Sequence, residues 1–439
     1  MRPTIIAGVL VAALAAPASA QEARKLTLSD AVRVALEQSP DLAISEKSVD
    51  ASRARMTADK RRRLPALTLE STALRWNEEL GFDLPTGRLV AREQVTTTSS
   101  LTATLPLSAQ LVINKLIAAD RADLRASEEQ HAATRLELAS GVASAYLGVL
   151  LAREARDIAQ SRTALVQAQL ERARVLVEGG VLGRVDVMRL EAALAAARRQ
   201  AISAASDAES AADALSLLVG VPEGTAIEPV DDLPPAAAPP IDAAAAVELA
   251  RQRRPELRVA GARADQARAA ATVQKANLFP NVVALGTVQH NTGNGPFMPE
   301  DAWFVGLRLD WTFWDFGVVW NQYKAADHQA IQARMAADRA VDRLRVEVRK
   351  SARDARAAFD ALDVAKAGLA ASEEAFRIQE ARFQEGATTT TELLSAETEV
   401  TQARIGFATA RYAYFIQLAA LAQATGQLPD ALLRGAVTR

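Results

Sequence analysis

The sequence predicts a mainly α-helical chain with a smaller β part, arranged as a tandem repeat of long coiled-coil-like helices with one two-stranded β-hairpin in each copy. Three observations predict this: the same landmarks recur in the same order in both halves, long runs lack proline, and short segments alternate between apolar and polar residues. The 439 residues are 49% hydrophobic, 24% charged and only 5% aromatic, with a net charge of −2. This composition is typical of long helices in close contact and gives no basic excess for nucleic acid.

Residues 1–20 have the pattern of a secretory leader. Arg2 precedes an apolar run over residues 5–16, and small residues follow up to Ala20. This predicts a signal peptide at 1–20, with the mature chain starting at Gln21. Because the chain has no cysteine, we expect no disulfide and no lipid anchor. No later segment approaches the apolarity expected of a transmembrane helix. An ordinary periplasmic protein is the alternative interpretation of the leader.

Two copies of one structural unit follow the leader. The matching positions are Pro40 with Pro255, Leu42 with Leu257, Gly180 with Gly386, Asp186 with Glu392, Glu191 with Glu397, and Gly220 with Gly426. We therefore predict a first structural repeat at 21–221 and a second at 241–439. The proline-rich stretch at 222–240 is predicted to be an extended linker.

Each copy is predicted to begin with a short helix, at 28–38 and at 243–253, which stops before a proline. A second helix then runs to just before Pro65 or Pro280, where the β segment with its central loop begins. After the β segment come a very long helix, a glycine-containing break and a last helix, which ends near Gly220 in the first copy and near Gly426 in the second.

The very long helix of the second copy shows how it packs. The run 321–385 contains no proline and only one glycine, which predicts a rod of roughly 100 Å. Apolar residues recur along it every seven positions: Val341, Val348, Ala355, Leu362, Leu369, Phe376 and Phe383. A strict heptad predicts left-handed, coiled-coil-like packing, and we interpret this stripe as a packing core.

The β-hairpins, at about 66–108 and about 281–314, have the pattern of membrane strands. One face of the last strand is wholly apolar: Trp303, Val305, Leu307, Leu309, Trp311 and Phe313. Each strand is about ten residues, the length that crosses a bilayer at a tilt. We predict that Trp76, Trp303, Trp311 and Trp314 form an aromatic belt at the membrane–water boundary. A small soluble sheet with tryptophan in its core is the alternative.

The number of strands predicts an oligomer. Four strands cannot close a barrel, and an open edge in hydrocarbon leaves backbone groups unpaired. Two chains would give eight strands and a barrel filled by side chains, whereas three would give twelve strands and a passage. The sequence therefore favours three chains.

The chain resembles the outer-membrane efflux protein (TolC) family from about Leu26 to Leu428. The resemblance rests on Ser39-Pro40-Asp41-Leu42 and its copy at 254–257, on the Leu-Pro and Phe-Pro entries to the strands, on the run 303–317 and on the break 383–394. It implies a homotrimer with a twelve-stranded barrel in outer-membrane lipid and a helical tunnel in the periplasm. It also implies a passive exit duct for small molecules or a secreted polypeptide, in a tripartite efflux or type I secretion system. Its partners would be a periplasmic adaptor (membrane fusion protein) and an inner-membrane transporter.

The resemblance also assigns roles to the two helix breaks. They would be periplasmic hairpin tips that meet the adaptor, formed by Gly179, Gly180, Val181, Leu182, Gly183, Gly386, Ala387, Thr388 and Thr389. Glu392 matches the first acidic position of a constricting ring at the periplasmic gate. Ser395 matches the second position and departs from its acidic pattern, while Asp186 is a weaker candidate. The alternative for Glu392 is a first-turn carboxylate favoured by the helix dipole.

No motif predicts an enzyme, a metal site or a cofactor. The three histidines, His131, His290 and His328, are dispersed without metal-ligand spacing. The rival function from another class is a periplasmic coiled-coil adaptor, which usually has one helical hairpin rather than two copies that each contain a strand hairpin.

Overall fold

The computed structural model describes residues 24–221, 227–230, 233, 235–239, 242–296 and 298–429. The predicted leader lies outside these residues, as does part of the predicted linker. In chain order the elements are β1 (Arg24–Leu26), α1 (Leu28–Gln38), α2 (Pro40–Arg61), β2 (Ala66–Arg75), β3 (Leu80–Leu84), β4 (Gly87–Arg92), β5 (Val95–Pro106), α3 (Ala109–Glu178), α4 (Arg184–Val219), β6 (Ile227–Pro229), α5 (Ala243–Arg253), α6 (Pro255–Ala276), β7 (Asn281–Thr292), β8 (Asp301–Asp310), α7 (Val318–Gln384) and α8 (Thr390–Ala424). The fold class predicted from the sequence is confirmed, with the same order of elements in both halves.

The two short helices, α1 and α5, have the predicted bounds. Thr27 caps the start of α1 and Asp242 caps the start of α5, each by accepting a backbone N–H. Both helices end two residues before a proline, and Pro40 and Pro255 then occupy the first turn of the next helix. Proline is suited to that position because the first turn leaves its N–H groups unpaired.

The longer helices form a bundle in which α3 has the most helical neighbours. This helix packs against α2 and α6 near the sheet, and against α4 and α8 toward the opposite end, while α7 packs along α6 and α8. All seven heptad positions predicted on α7 are buried or half-buried, and most of the remaining α7 surface is exposed. The predicted packing core of α7 is therefore confirmed.

Helix α3 corrects the expectation that no later segment is as apolar as a transmembrane helix. Of the described helices, α3 alone contains an 18-residue stretch that is apolar and long enough to cross a membrane. The same helix supplies a dense run of buried residues to the largest core cluster, among them Val142, Tyr146 and Leu147. A helix that is covered on several sides is apolar around most of its circumference, which explains this composition without a membrane.

The two β-hairpins form one antiparallel sheet in the order β2–β5–β7–β8. The structure differs from the sequence interpretation at two points. The central loop of the first β segment contains an additional hairpin, β3–β4. Strand β8 ends at Asp310 rather than near Trp314, because Asp310 pairs with Asn281, the first residue of its neighbour β7. Farther on, Phe316 and Gly317, with φ values of 54° and 86°, turn the chain into α7.

The described part of the linker follows an extended path across the helices. Strand β6 pairs in parallel with β1, and the Tyr146 hydroxyl joins the two by donating to Leu26 O (3.0 Å) and accepting from Val230 N–H (3.2 Å). Farther along, the Tyr414 hydroxyl of α8 donates to Ala237 O. These contacts tie the linker to the middle of the bundle.

A pair of carboxyl groups lies between α2 and α3, near the sheet. Burial, followed by the neighbouring Asp59 and Asp123 and opposed by Arg62, raises the pKa of Asp120 to about 6. Within the described chain, Asp120 Oδ2 is shielded and has no hydrogen-bond partner. A proton held between Asp120 and Asp59 would satisfy this oxygen and remove the repulsion between the two groups.

We expect Asp120→Asn to remove a pH dependence of stability. The folded pKa of Asp120 lies above its usual value of 3.8, so the folded state holds this proton more tightly than the unfolded state does. The contribution of Asp120 to stability is therefore present below about pH 4 and is lost as the pH rises to about 6. Thermal unfolding followed by circular dichroism should show the unfolding temperature of the variant rising relative to that of the wild type as the pH increases from about 4 to about 6. A constant difference between the two proteins at all pH values would contradict the shared proton.

Candidate functional site: the helix tips and the sheet faces

The first halves of the two tips have the same backbone geometry. Val181 N–H donates to Leu176 O (2.9 Å) after α3, and Ala387 N–H donates to Arg382 O (2.8 Å) after α7. Gly180 and Gly386 lie between these residues with φ values of 75° and 70°. Such helix ends need a residue in the left-handed conformation, which glycine adopts without a steric penalty.

In the second half of each tip, a carboxylate three residues into the new helix accepts the N–H of the N-cap residue, and in the second copy the two residues form a complete capping box. Thr389 Oγ1 accepts from Glu392 N–H (3.2 Å), and Glu392 Oε2 accepts from Thr389 N–H (3.4 Å). In the first copy Asp186 Oδ2 accepts from Gly183 N–H (3.1 Å). Two hydrogen bonds lower the pKa of Glu392. The one from the Thr388 hydroxyl has the larger effect, and the one from Thr389 N–H has the smaller effect. The carboxylate is therefore held charged at the start of α8.

Glu392 and Ser395 lie together on one shallow groove between α7 and α8. Glu399, on the next turn of α8, lines the same groove, opposite Ile378 and Gln379 of α7. All three α8 residues are exposed. Glu399 is not among the gate residues predicted from the sequence, although its spacing of seven residues from Glu392 places it on the same helix face. The groove thus has two carboxylates with a serine between them.

Asp186 does not line this groove. Its carboxylate lies 3.7 Å from the Arg189 guanidinium, which also donates to Thr391 Oγ1 (3.1 Å) on α8. The two tips are close to each other, because a Cβ added to Gly386 would lie 3.2 Å from Val181 Cγ1. The other predicted tip residues, Leu182, Ala387 and Thr388, lie in the same turns, and Leu182 packs against the apolar cluster below the tips. The nine tip residues are therefore brought together.

A buried ion pair joins three helices two turns into α8. Glu397 is fully buried and accepts from the Arg162 guanidinium of α3 at 2.9 and 3.1 Å. Arg162 also donates to Gln200 Oε1 on α4 (2.8 Å), and the Thr401 hydroxyl donates to Glu397 (3.0 Å). The matching residue of the first repeat, Glu191, is 51% exposed and pairs with Arg174 at 3.2 Å. Equivalent sequence positions therefore have different environments.

The sheet has one apolar and one polar face. Because residues opposite each other in the ladder share a face, the registers define rows that cross all four strands. One row of the apolar face is Leu69–Leu101–Val288–Trp303, and the neighbouring polar row is Glu70–Ser100–Gln289–Ala302. In the apolar row Leu69 is 75% and Trp303 is 76% exposed. An apolar face with this exposure fits contact with lipid rather than with water.

Three of the four predicted belt tryptophans lie on β8 or just after it, and all three are exposed. Trp303 lies on β8 near its outer end, whereas Trp311 and Trp314 follow β8 at the end where the helices begin, with exposures of 53% and 69%. Trp76 differs, because its indole N–H donates to Thr96 of the polar face (3.1 Å) and the Arg92 guanidinium covers its ring at 3.8 Å. The structure therefore places Trp76 toward the polar side, and Trp303 at the opposite end of the sheet from Trp311 and Trp314.

The outer strands of the sheet, β2 and β8, each pair with one neighbour in the described part of the chain. The chain direction of β2 is opposite to that of β8, because successive strands of this antiparallel sheet alternate in direction. The described residues contain no cluster of three or more histidine, aspartate or glutamate side chains that could hold a metal ion. Of the histidines, His131 contacts Ser45 at 2.8 Å and His290 contacts Asp301 at 2.8 Å.

Comparison with known proteins agrees with this geometry. The sequence profile of the family "Outer membrane efflux protein" matches residues 31–221 and 246–427, one segment in each half. The outer membrane protein TolC of Vibrio cholerae is 24% identical over 313 residues, which cover 70% of this chain and 71% of the relative. The outer-membrane channel OprN has a similar structure (TM-score 0.79, 24% identity, 91% of this chain and 89% of that chain). The same holds for the Campylobacter jejuni CmeC outer membrane channel (TM-score 0.79, 15% identity, 94% and 89%).

The family profile covers most of the chain and includes both β-hairpins and both tips, which sets aside the rival interpretation as a periplasmic adaptor. Proteins of this family form trimeric channels that work with an adaptor and an inner-membrane pump. The chain therefore belongs to the outer membrane efflux protein family and is an outer-membrane exit duct that extends into the periplasm.

Proposed function

We propose that three copies of this chain form one passive duct, with a shared twelve-stranded barrel in the outer membrane. The observation that carries this proposal is the four-stranded sheet with an apolar exposed face and two free edges. In lipid those edges need partners, and β8 of one copy is antiparallel to β2 of the next, as closure requires. Three copies give twelve strands and a passage, whereas two would give a barrel filled by side chains.

The polar face of the sheet supports this arrangement, since it would line the passage. Trp303 near the outer end and Trp311 and Trp314 near the helices would contact the two membrane–water boundaries. Strands of 10 and 12 residues, at about 3.3 Å per residue and tilted by about 45°, cover a band of about 25 Å. That height matches the apolar band of an outer-membrane barrel.

We propose further that the tips dock onto a periplasmic adaptor that connects the duct to an inner-membrane transporter. Three exposed apolar side chains support this contact: Val181, Val185 and Met188, at 58%, 58% and 60% exposure. Val185 and Met188 lie three residues apart on one face at the start of α4, and Val181 lies in the tip just before this helix. An exposed apolar patch of this kind at the end of a long helical rod favours binding to another protein.

The test of the duct is membrane fractionation followed by bilayer recording. We expect the mature protein in the outer membrane as a heat-resistant trimer, and we expect the purified trimer to form ion-conducting channels. A water-soluble monomer that needs no detergent would overturn the proposal.

We also propose that Glu392, Ser395 and Glu399 narrow the periplasmic end of the passage, where three copies would give two acidic rings separated by a ring of serine. We expect Glu392→Ala to change the single-channel conductance and to lower the ratio of cation to anion permeability by about twofold or more. Planar bilayer recording with a salt gradient measures both quantities. Unchanged conductance and selectivity would remove Glu392 from the gate.

A second variant separates the gate from the capping role of Glu392. Glu392→Gln removes the charge but keeps an oxygen that accepts the hydrogen bonds of Thr388 and Thr389. If the charge of Glu392 acts at the gate, both Glu392→Gln and Glu392→Ala should change the selectivity to the same extent, since both lack the charge. If Glu392 acts only as a helix cap, Glu392→Ala alone should have an effect, because it lowers the stability of the first turn of α8. Asp186→Ala, outside the groove, is the control for loss of a capping carboxylate.

A further inference from the structure

The additional hairpin β3–β4, at the outer end of the sheet, has one apolar face. Residues opposite each other in its ladder share a face, so Phe82 lies beside Leu89, and Leu80 and Leu84 lie two residues to either side of Phe82 on the same strand face. Leu80, Phe82 and Leu84 are 46%, 52% and 49% exposed. Large apolar side chains grouped on one exposed face favour contact with another apolar surface.

The other face of this hairpin is polar, and its charges are paired within the hairpin region. Asp83 lies opposite Arg88 in the ladder, and the Arg88 guanidinium also pairs with Glu79 at 2.9 Å. The Arg88 side chain lies across Gly81, because a Cβ added to Gly81 would be 2.9 Å from Arg88 Nε. The apolar face is therefore the one that a single chain leaves without a cover.

The base of the hairpin lies over the polar face of the sheet. Thr96 and Ser100 lie on this face of β5, since they are separated by an even number of residues. Ser100, halfway along the strand, is half-buried, whereas Thr96 at the outer end is only 6% exposed. Thr96 is covered by Trp76, whose indole N–H donates to it, and by Arg92, which stacks on the Trp76 ring. The chain thus folds inward, over the side that would line the passage.

The turn between β7 and β8 fixes the base of the hairpin from the other repeat. Glu93 N–H donates to Gly293 O (2.7 Å), and a Cβ added to Gly295 would lie 2.5 Å from Ala91 O at the end of β4. Asn291 of β7, on the polar face beside this turn, is only 3% exposed. Backbone contact this close leaves the base little freedom, so the direction of the hairpin is set by both repeats.

Three copies would place three such hairpins around the axis of the proposed barrel. Twelve strands that are about 4.8 Å apart and tilted by about 45° give a barrel radius of about 13 Å. Each strand of the hairpin has five or six residues and, at about 3.3 Å per residue, extends about 16 Å or more. A hairpin that starts at the wall, above the passage side, is therefore long enough to reach the axis.

We propose that the apolar faces of the three β3–β4 hairpins pack together on the axis and form a constriction at the outer mouth of the duct. The cover of each face is thus the same hairpin of the other two copies, with Leu80, Phe82 and Leu84 at the centre. A narrow ring of apolar side chains excludes water and ions, so it restricts entry from outside until cargo moves the hairpins apart. This inference rests on the proposed duct, which supplies the threefold axis.

A disulfide test measures whether the hairpins meet. The native chain has no cysteine, so an introduced thiol reports alone. A disulfide needs Cα atoms within about 7 Å, so oxidation of the Phe82→Cys trimer should join two of its three chains, and about two thirds of the chains should run as covalent dimers on a denaturing gel. Ser100→Cys is the control: on the barrel wall, the three thiols are about 20 Å apart and should form no dimers.

A labelling test measures whether the hairpins restrict entry. Glu70 is exposed on the polar face, midway along β2, so Glu70→Cys reports on the passage below the outer mouth. A bulky, membrane-impermeant maleimide added to intact cells should label this thiol about tenfold faster when Phe82→Ser and Leu84→Ser are added. Asp83→Ser with Arg88→Ser, on the polar face of the same hairpin, is the control and should leave the rate unchanged.

Two results would refute the constriction: Phe82→Cys trimers that form no dimers, or a labelling rate that the two serine substitutions do not raise. Hairpins that lay in the outer leaflet instead would give no dimers, and a lipid-soluble maleimide would label Phe82→Cys. Heat-resistant trimer on a gel shows that each variant has assembled. A conducting wild-type trimer with no dimers at Phe82→Cys would reject the constriction alone, whereas a wild-type chain that forms no trimer would reject the duct as well.

Discussion

Replacing Glu397 by alanine is expected to lower the free energy of unfolding by about 3–5 kcal/mol, because it leaves the Arg162 guanidinium between α3 and α8 without its counter-charge. Arg162 retains only 16% of its side-chain exposure and Glu397 none, so water cannot replace the lost partner efficiently. Loss of helical circular dichroism on titration with guanidinium chloride, in detergent, measures the change.

Glu191→Ala is the matched control, since Glu191 occupies the equivalent position of the first repeat. It is 51% exposed and its partner Arg174 is 48% exposed, so its loss should cost about 0–1 kcal/mol. The double change Arg162→Met and Glu397→Leu should recover most of the stability, because apolar side chains need no counter-charge. Equal effects of the two glutamate substitutions would mean that burial does not distinguish these ion pairs.

Replacing Leu101 by arginine is expected to prevent assembly of the trimer in the outer membrane. Leu101 lies near the middle of β5, between Leu69 and Val288 on the apolar face. An arginine at the bilayer midplane on the lipid face of a barrel costs about 2–4 kcal/mol, and each trimer would carry three. Heat-resistant trimer in the outer-membrane fraction, detected on a gel, should fall to a trace.

Ser100→Arg is the control on the adjacent residue. Ser100 faces Glu70 and Gln289 on the polar side of the sheet, where the proposed passage supplies water. The same side chain should therefore be tolerated there, with trimer formed and conductance reduced by the added bulk and charge. Loss of the trimer in both variants, or in neither, would show that the assignment of the lipid and passage faces is wrong.

The local elements were predictable because their causes are local. Pro40 and Pro255 set the boundary between the first two helices of each repeat, since proline restricts the residue before it and fits a first turn. Gly180 and Gly386 marked the tips, where the backbone needs positive φ. The heptad on α7 indicated which face is packed, and that face is the one buried in the structure.

Other features depended on neighbours that the sequence pattern does not specify. The alternation that suggested a strand up to Trp314 continues past Asp310, but the chain turns there toward α7. Helix α3 has an apolar composition because it lies at the centre of the bundle, which a single-helix pattern cannot distinguish from a membrane helix. The raised pKa of Asp120 requires Asp59 from another helix, 61 positions earlier in the chain.

The sequence by itself determined the repeated order of helices and hairpins, the positions of the tips and the two faces of the strands, because proline, glycine and hydrophobic periodicity act over a few residues. Only the tertiary structure decided that Glu397 is buried while its copy Glu191 is exposed, and that Glu399 joins Glu392 on one groove. It also decided that the buried side chains of Gln169 and Thr390 have no hydrogen-bond partner among the described residues. The physical reason is that burial and hydrogen bonding depend on which helix covers a residue. Within the described part of one chain, α3 covers Glu397 of α8, whereas Glu191 of α4 stays half exposed.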